Sequence, residues 1–543
     1  MSKEIFYDQE AREKVIAGAK KMADAVKVTM GAKGRNVMIK KSFGAPILTH
    51  DGVTVAENIN LASDDIHSQA LDAGAELIKQ AAKKMNAVAG DGTTTVTVLT
   101  YEMLAEAHRL IAAGYNPMEL RVGVEEAGAE VIAKLEKMAE KIEGNKAKIV
   151  EVATISAADK KIGELVGDVI ESVGTTGVVT VEQGEGLDMK KEIIEGFSFD
   201  RGFVSGLMVT DVNRLEAKLE APKIIITDKR LSNAMEIVSF FTELMKKQIK
   251  NIVLVAEEIE SDALEFLLRN NQRGIFKVVA VRAPSFGEQR KNILEDLAIL
   301  TGGKVISDGN DLSFSTATVD VLGDARRVLI TKDTTTVIQG SGDAKAVEDR
   351  IKAITDQSKT DVTEFEKERL KKRAAALGGK VAVIKIGGAT EQEIEEKKFR
   401  VDDAVAAARA ALSEGIVPGG GVTLVNLSDQ LKDKGIPGRA IVKKALLKPF
   451  LQLMENAGLN GAALLKDVQR AEKGMGVNVM GGEDLIDMKA HGVVDPVLVT
   501  KLAIQNAVSI AGTGMTMGAL IVDVPVKRSA GYDDDPMNEM GLD

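Results

Sequence analysis

From Ala11 to about Lys137, alanine, valine and leucine recur at spacings of three and four residues, and glycine-rich turns interrupt them. That period predicts a block of amphipathic helices. A second helical block returns after Glu414. Between them the texture changes: Ile224-Ile225-Ile226, Ile252-Val253-Leu254-Val255 and Val278-Val279-Ala280-Val281 are short, β-branched runs separated by helical stretches. Such alternation predicts an α/β domain set into an otherwise helical chain. Leu502 to Val522 is apolar, but it carries Gln505, Asn506 and Ser509 and lacks flanking anchors, so a buried core helix is expected rather than a membrane span.

Composition narrows the classes. The 543 residues are too many for one ordinary domain. The net charge of -10, with no long basic block, disfavours a nucleic-acid backbone as partner. No cysteine is present, which removes disulfides, thiolate metal sites and a thiol nucleophile. None of the four histidines forms a pair with metal-ligand spacing. Aromatic residues are only 3%, so the cores must be built from Ala, Val, Ile, Leu and Met. The N-terminal residues lack an apolar signal segment, and a cytoplasmic location is expected.

The chemistry concentrates in loops. Ala89 to Thr95, Ala-Gly-Asp-Gly-Thr-Thr-Thr, places two glycines, one carboxylate and three hydroxyls at the mouth of an apolar helix. A helix N-terminus supplies unpaired N–H groups and partial positive charge, so this stretch suits a phosphate chain, with Asp91 holding magnesium. An ordinary N-cap by Asp91 or Thr93 is the competing reading. Thr29-Met30-Gly31-Ala32-Lys33-Gly34-Arg35-Asn36, His50-Asp51-Gly52-Val53 and Pro418-Gly419-Gly420-Gly421-Val422 are further loops of this type. Neither a G-x-x-x-x-G-K-[ST] loop nor a dinucleotide fingerprint in its required context occurs, so a nucleotide site here needs another design.

Two more patterns stand out. In the helix predicted over Arg400 to Glu414, Val401, Ala404, Val405, Ala408 and Leu412 form the apolar face, Asp403 lies nearly opposite it and Asp402 flanks it. On pattern alone a solvated acidic face is the favoured reading of the pair. In the insert, Ala234 to Met245 and Ser261 to Asn270 present apolar arcs of roughly 160°, wider than the ~100° stripe that one neighbour covers. Each helix is either sandwiched between two layers or carries an exposed apolar patch suited to binding.

These loops, in this order, resemble those of the group I chaperonins, the GroEL type, and the resemblance runs from about Ala11 to Val526. It implies a multidomain α+β protein. A mostly helical equatorial domain is formed by both chain ends, 1–137 and 414–543; a small intermediate hinge domain by 138–194 and 381–413; and an α/β apical domain, inserted centrally, by 195–380. Glu195-Gly196 and Gly378-Gly379 are the expected hinges, and an acidic tail without Gly-Gly-Met repeats is expected from about 530. The resemblance implies ATP, Mg2+ and K+ as cofactors. Asp403 and Asp51 would be catalytic, and Asp91 would ligate magnesium. The nucleotide would meet Thr29, Met30, Gly31, Ala32, Asp91, Gly92, Thr93, Thr94, Thr95 and Gly420, with Asn478, Val479, Met480 and Asp495 around adenine and ribose. The backbone carbonyls of Thr29 and His50 would bind potassium.

Unfolded proteins and a small lid co-chaperonin would bind Phe203, Leu207, Met208, Val238, Phe241, Leu264 and Leu268. Seven-membered rings, stacked in pairs, are implied, and Arg201 with Glu391 is a candidate inter-subunit pair that breaks as the apical domain swings. Ala32 stands where proline is usual, His50 where lysine is usual and Arg269 where an aliphatic residue is usual, and a few extra residues lie around Leu61 to Gln69. A kinase-like metabolic enzyme lacks the required nucleophile and base. A non-cycling holdase, its nucleotide site impaired by Ala32 and His50, is the rival from another class.

Overall fold

Both ends of the chain build one compact unit, Met1–Asp168 with Gly388–Asp543, while Val169–Gly387 forms a second. The computed structural model describes residues 2–524 apart from 42–45, 64, 143–144, 175–176, 185, 212–214 and 360–362. The acidic tail lies outside the described residues. In chain order the first stretch gives β1 (Lys3–Tyr7), α1 (Asp8–Val26), β2 (Val37–Ile39), β3 (Ile47–Thr49), α2 (Gly52–Asn58), α3 (Ile66–Ala89), α4 (Thr93–Ala112), α5 (Pro117–Met138), α6 (Lys146–Ala157) and α7 (Lys160–Val173). Local chemistry starts several of these helices. Asp65, Asn116 and Asn145 cap α3, α5 and α6 by accepting from first-turn N–H groups, and Pro117 opens α5.

The middle of the chain gives β4 (Val178–Gln183), β5 (Lys190–Phe199), β6 (Ala217–Glu220), β7 (Lys223–Thr227), β8 (Arg230–Leu231), α8 (Met235–Lys246), β9 (Asn251–Ala256), β10 (Glu258–Ile259), α9 (Ser261–Gln272), β11 (Lys277–Arg282), α10 (Gly287–Thr301), β12 (Val305–Ile306), β13 (Gly323–Ile330), β14 (Thr335–Gly340), α11 (Ala344–Gln357), α12 (Glu364–Leu377) and β15 (Lys380–Ile386). The three β-branched runs predicted as strands are β7, β9 and β11. They lie parallel and adjacent, and β12 pairs on the other side of β7. Burial on both faces explains why they read as continuous apolar runs without alternation. Antiparallel β13, β14 and β5 carry the sheet on to β15 and β4.

The two expected hinges are hydrogen-bonded to each other, Gly196 N–H donating to the Gly379 carbonyl. Here β5 changes partner: Lys190–Glu195 pair with β15, and Gly196–Phe199 pair with β14. A Cβ on Gly196 would lie 2.3 Å from a Val381 methyl, so the crossing requires glycine.

The last stretch gives α13 (Glu391–Glu414), β16 (Ile416–Pro418), α14 (Val422–Gln430), α15 (Pro437–Ala445), α16 (Lys448–Asn456), α17 (Gly461–Arg470), β17 (Met475–Val477), β18 (Leu485–Asp487), β19 (Val494–Pro496), α18 (Val497–Met515) and β20 (Ala519–Asp523). The helix expected through Val522 therefore stops at Met515, a turn follows, and Ala519–Asp523 is strand β20. β20 pairs antiparallel with β1, Phe6 opposite Leu520, a pairing that local periodicity could not reveal because the two strands lie at opposite ends of the sequence. The first unit's core lies among α1, α3, α4, α5 and α18, with Met22, Ile78, Met85, Leu99, Met103, Leu120 and Leu135 fully buried. Among the described residues no helix is long and apolar enough to cross a membrane.

α1 and α3 touch backbone to backbone. A Cβ on Gly18 would sit 1.7 Å from the Leu71 carbonyl oxygen, and one on Gly74 would sit 1.9 Å from that of Val15. Gly74→Ala gains helix propensity of about 1 kcal/mol, yet overpacking of about 1–3 kcal/mol opposes it. The variant is expected to melt below wild type in a thermal scan, while Lys84→Ala on the exposed face of α3 leaves the midpoint unchanged.

Candidate functional site

The Ala89 to Thr95 loop joins the C-terminus of α3 to the N-terminus of α4. Gly90 and Gly92 both adopt positive φ, 64° and 80°. Asp91 does not cap α4: the N-cap is Gly92, and no side chain accepts from the first turn. The N-cap reading is thereby corrected, and α4 presents an uncapped N-terminus of the kind that binds anions. The capping role falls instead to Asp51, which accepts from Val53 N–H at 3.2 Å and Thr54 N–H at 2.9 Å at the start of α2.

The two helix starts abut. A Cβ on Gly52 would lie 2.5 Å from Thr94 Oγ1 and 3.0 Å from Thr93 Oγ1. Thr29, buried after α1, lies 3.2 Å from Thr94 Oγ1 through its own hydroxyl, which also donates to the Val26 carbonyl. Met30 is buried and its carbonyl accepts from the Asn456 amide at 2.9 Å, while Gly31, with φ 78°, and Ala32 are exposed. His50 packs its ring where a Cβ on Gly34 would come within 2.7 Å. Burial and then the Arg400 charge hold its imidazole below the ordinary value, which favours the neutral ring. Thr95 is half-buried on the first turn of α4.

α13 delivers Asp403 to this place. It does not lie on a solvated face: it is half-buried, and its carboxyl is raised well above the ordinary value by burial, then by the charges of Asp91, Asp51 and Asp402. Asp91 is raised by burial, against hydrogen bonds from Gly92 N–H and from the Ser156 hydroxyl at 3.1 Å. Asp495, on β19, is pushed up to about 7 by burial and by Asp91. A Cβ on Gly419 would lie 2.9 Å from an Asp495 carboxylate oxygen, so the glycine triplet closes over this acid. At Gly420, with φ 64°, a Cβ would lie 2.6 Å from the Met488 methyl. The turn that follows holds Asn478, whose side chain accepts from Met480 N–H at 3.0 Å, half-buried Val479 and exposed Met480.

The structure thus gathers Asp51, Asp91, Asp403 and Asp495 from four distant segments around one uncapped helix start. Mutual repulsion among these carboxylates calls for a cation, and the free N–H groups call for an anion, which is what a magnesium–phosphate pair supplies. Among the described residues no three acidic or histidine side chains form a metal cage of their own. Ser156 had no sequence signal: it belongs to no motif and lies 65 positions from Asp91.

The apolar surface of the second unit requires corrections. Phe241 is wholly buried, with edge-on contacts to Phe266 and Phe276, and Met208 is buried with its sulfur accepting from Ala280 N–H. Neither offers a surface: Phe241 is enclosed between α8, α9 and the sheet, and Met208 is packed against Ala280 of β11. Exposed apolar area remains at Leu207, 71% exposed, and at half-buried Phe203, Val238, Leu264 and Leu268. Met245, within the predicted arc, and Met235, which the sequence did not single out, are exposed on α8.

The first unit thus carries an uncapped phosphate-type loop beside buried acids, and the second is an α/β unit with apolar side chains left exposed. Residues 22–525 match the TCP-1/cpn60 chaperonin family model, and the chain belongs to that family. Its fold is similar to that of the chaperonin gp146 from bacteriophage EL (Pseudomonas aeruginosa), solved in the presence of ATP-BeFx. The TM-score is 0.69 at 22% identity, over 96% of this chain and 99% of that one. The protein is a chaperonin with the multidomain α+β fold of that group.

Two predictions follow from the geometry. Because Asp495 holds its proton to about 7 in the folded protein but only to about 4 in the unfolded chain, folding takes up a proton between those values and stability falls as pH rises through the window. Asp495→Asn in the nucleotide-free protein should therefore gain melting temperature relative to wild type progressively from about pH 4 to about pH 7. In the second unit, Phe241→Glu should unfold the α/β core, since an unpaired buried carboxylate costs several kcal/mol, whereas Leu207→Glu should leave the circular dichroism and melting of the protein unchanged.

Proposed function

We propose that this protein is a group I, GroEL-type chaperonin that hydrolyses ATP to drive capture and folding of unfolded proteins. The observation that carries this reading is the convergence of Asp51, Asp91 and Asp403 on the uncapped start of α4. In this reading the N–H groups of α4 and the hydroxyls of Thr93, Thr94 and Thr95 hold the phosphates. Magnesium, held by Asp91, would neutralise the phosphate charge. Asp403, whose surroundings raise its proton affinity, orients the attacking water and can take its proton. Asp51 is kept rigid by its capping bonds and shapes the floor. Asn478, Val479, Met480 and Asp495 enclose the base and sugar, and carbonyls of Thr29 and His50 take potassium.

Clients dock on Leu207, Phe203, Val238, Leu264 and Leu268 with the exposed methionines of α8, where non-directional contact tolerates many sequences. The partner change in β5 at Gly196 is the pivot for raising this rim. Assembly into seven-membered rings, stacked in pairs, a lid co-chaperonin and a cytoplasmic location complete the proposal.

The test is recovery of a denatured, aggregation-prone enzyme with magnesium, potassium, ATP and a small lid protein. Wild type is expected to restore activity over repeated turnovers. Asp403→Ala should bind ATP but lose at least about 100-fold in hydrolysis, the scale of a positioned acid–base group. Leu207→Glu should hydrolyse ATP yet capture less client. Capture by wild type without ATP-driven release would favour a holdase instead.

A further inference from the structure

We infer that Ser156 is a positioning residue which fixes the carboxylate of Asp91 and reports to it whether the α6–α13 helix pair is seated on the phosphate-type loop. The inference rests on the nucleotide reading above and deepens it. Asp91 is gripped at both oxygens: Oδ1 accepts from the N–H of Gly92 and Oδ2 from the Ser156 hydroxyl at 3.1 Å. The first bond is local to the loop. The second comes from the last turn of α6, so it exists only while α6 is in place.

α6 packs along α13, the helix that carries Asp403. α13 itself rests on the same loop, since a Cβ on Gly90 would lie 2.5 Å from the Cβ of Ala406. One side of the loop therefore meets α13 at Gly90, and the next residue meets α6 through Ser156. A shift of the helix pair that withdraws Asp403 also removes the hydroxyl that sets the rotamer of Asp91. Arrival of the water-orienting acid and alignment of the metal-binding acid are thereby coupled through one side chain. Ser156 touches neither water nor phosphate in this scheme and acts through Asp91.

The experiment compares wild type, Ser156→Ala and Ser156→Thr as full-length proteins. Magnesium is titrated at a fixed concentration of a fluorescent ATP analogue, and amide hydrogen exchange of Gly92 to Val96 and of α6 is followed without nucleotide. Ser156→Ala is expected to raise the half-saturating magnesium concentration about tenfold, the scale of one hydrogen bond to a charged group, and to speed exchange in both segments. Ser156→Thr keeps the hydroxyl and should restore both readouts. Unchanged magnesium dependence and exchange in Ser156→Ala, or a defect that threonine fails to rescue, would overturn the inference. If wild type binds no nucleotide at any magnesium concentration, the nucleotide reading itself fails. In that case the exchange data still decide whether Ser156 ties α6 to the loop.

Discussion

Asp51, Asp91, Asp403 and Asp495 stand near enough for the charge of one to disfavour the ionisation of another, and the first unit has to be rigid enough to keep them there. Burial raises Asp403, Asp91 and Asp495 alike; the charges of Asp91 and Asp51 add to it at Asp403, that of Asp51 at Asp91, and that of Asp91 at Asp495. Left to themselves such groups would spread into water. They are carried by segments whose approach is set by contacts that allow no side chain: Gly52 against Thr94, Gly90 against Ala406, Gly92 against Val499 and Gly419 against Asp495. Binding energy from a cation and its phosphate would relieve a repulsion that folding has already imposed.

Much of this was legible in the sequence because each loop announces itself locally. Glycine with an acid or hydroxyls at a helix mouth is a short-range signal, and the strands β7, β9 and β11 are unbroken β-branched runs. What remained hidden was set by distance along the chain. The pairing of β1 with β20 and the bond between Ser156 and Asp91 join segments that no window of sequence contains together. Asp403 shows the limit from the other side. Helical phase set it opposite Val401 and Val405, but Ala407 and Ala410 beside it are buried as well, and phase cannot tell water from other acids.

The second unit teaches a related lesson about apolar excess. The arc of α8 is wide because two layers use it: Ile237, Phe240, Phe241 and Leu244 are buried against strands and against α9. The exposed remainder is narrower and lies at Leu207 and the outer methionines. Aromatic residues are scarce in this chain, and several of them are spent on joining α8, α9 and the sheet. A family likeness transfers positions more securely than it transfers exposure.

The division of the chain has a consequence for its synthesis. Among the described residues, Val169–Gly387 pairs its strands only with one another, and this unit is complete once residue 387 has emerged. The first unit cannot close until α18 fills the space among α3, α4 and α5 and β20 reaches β1, more than 500 residues after the chain began. Through most of translation the alanine- and methionine-rich faces of α1 and α3 to α5 therefore stand open to water and to neighbouring chains. A protein whose family guards others against aggregation passes through a long interval in which its own core is an unfolded client.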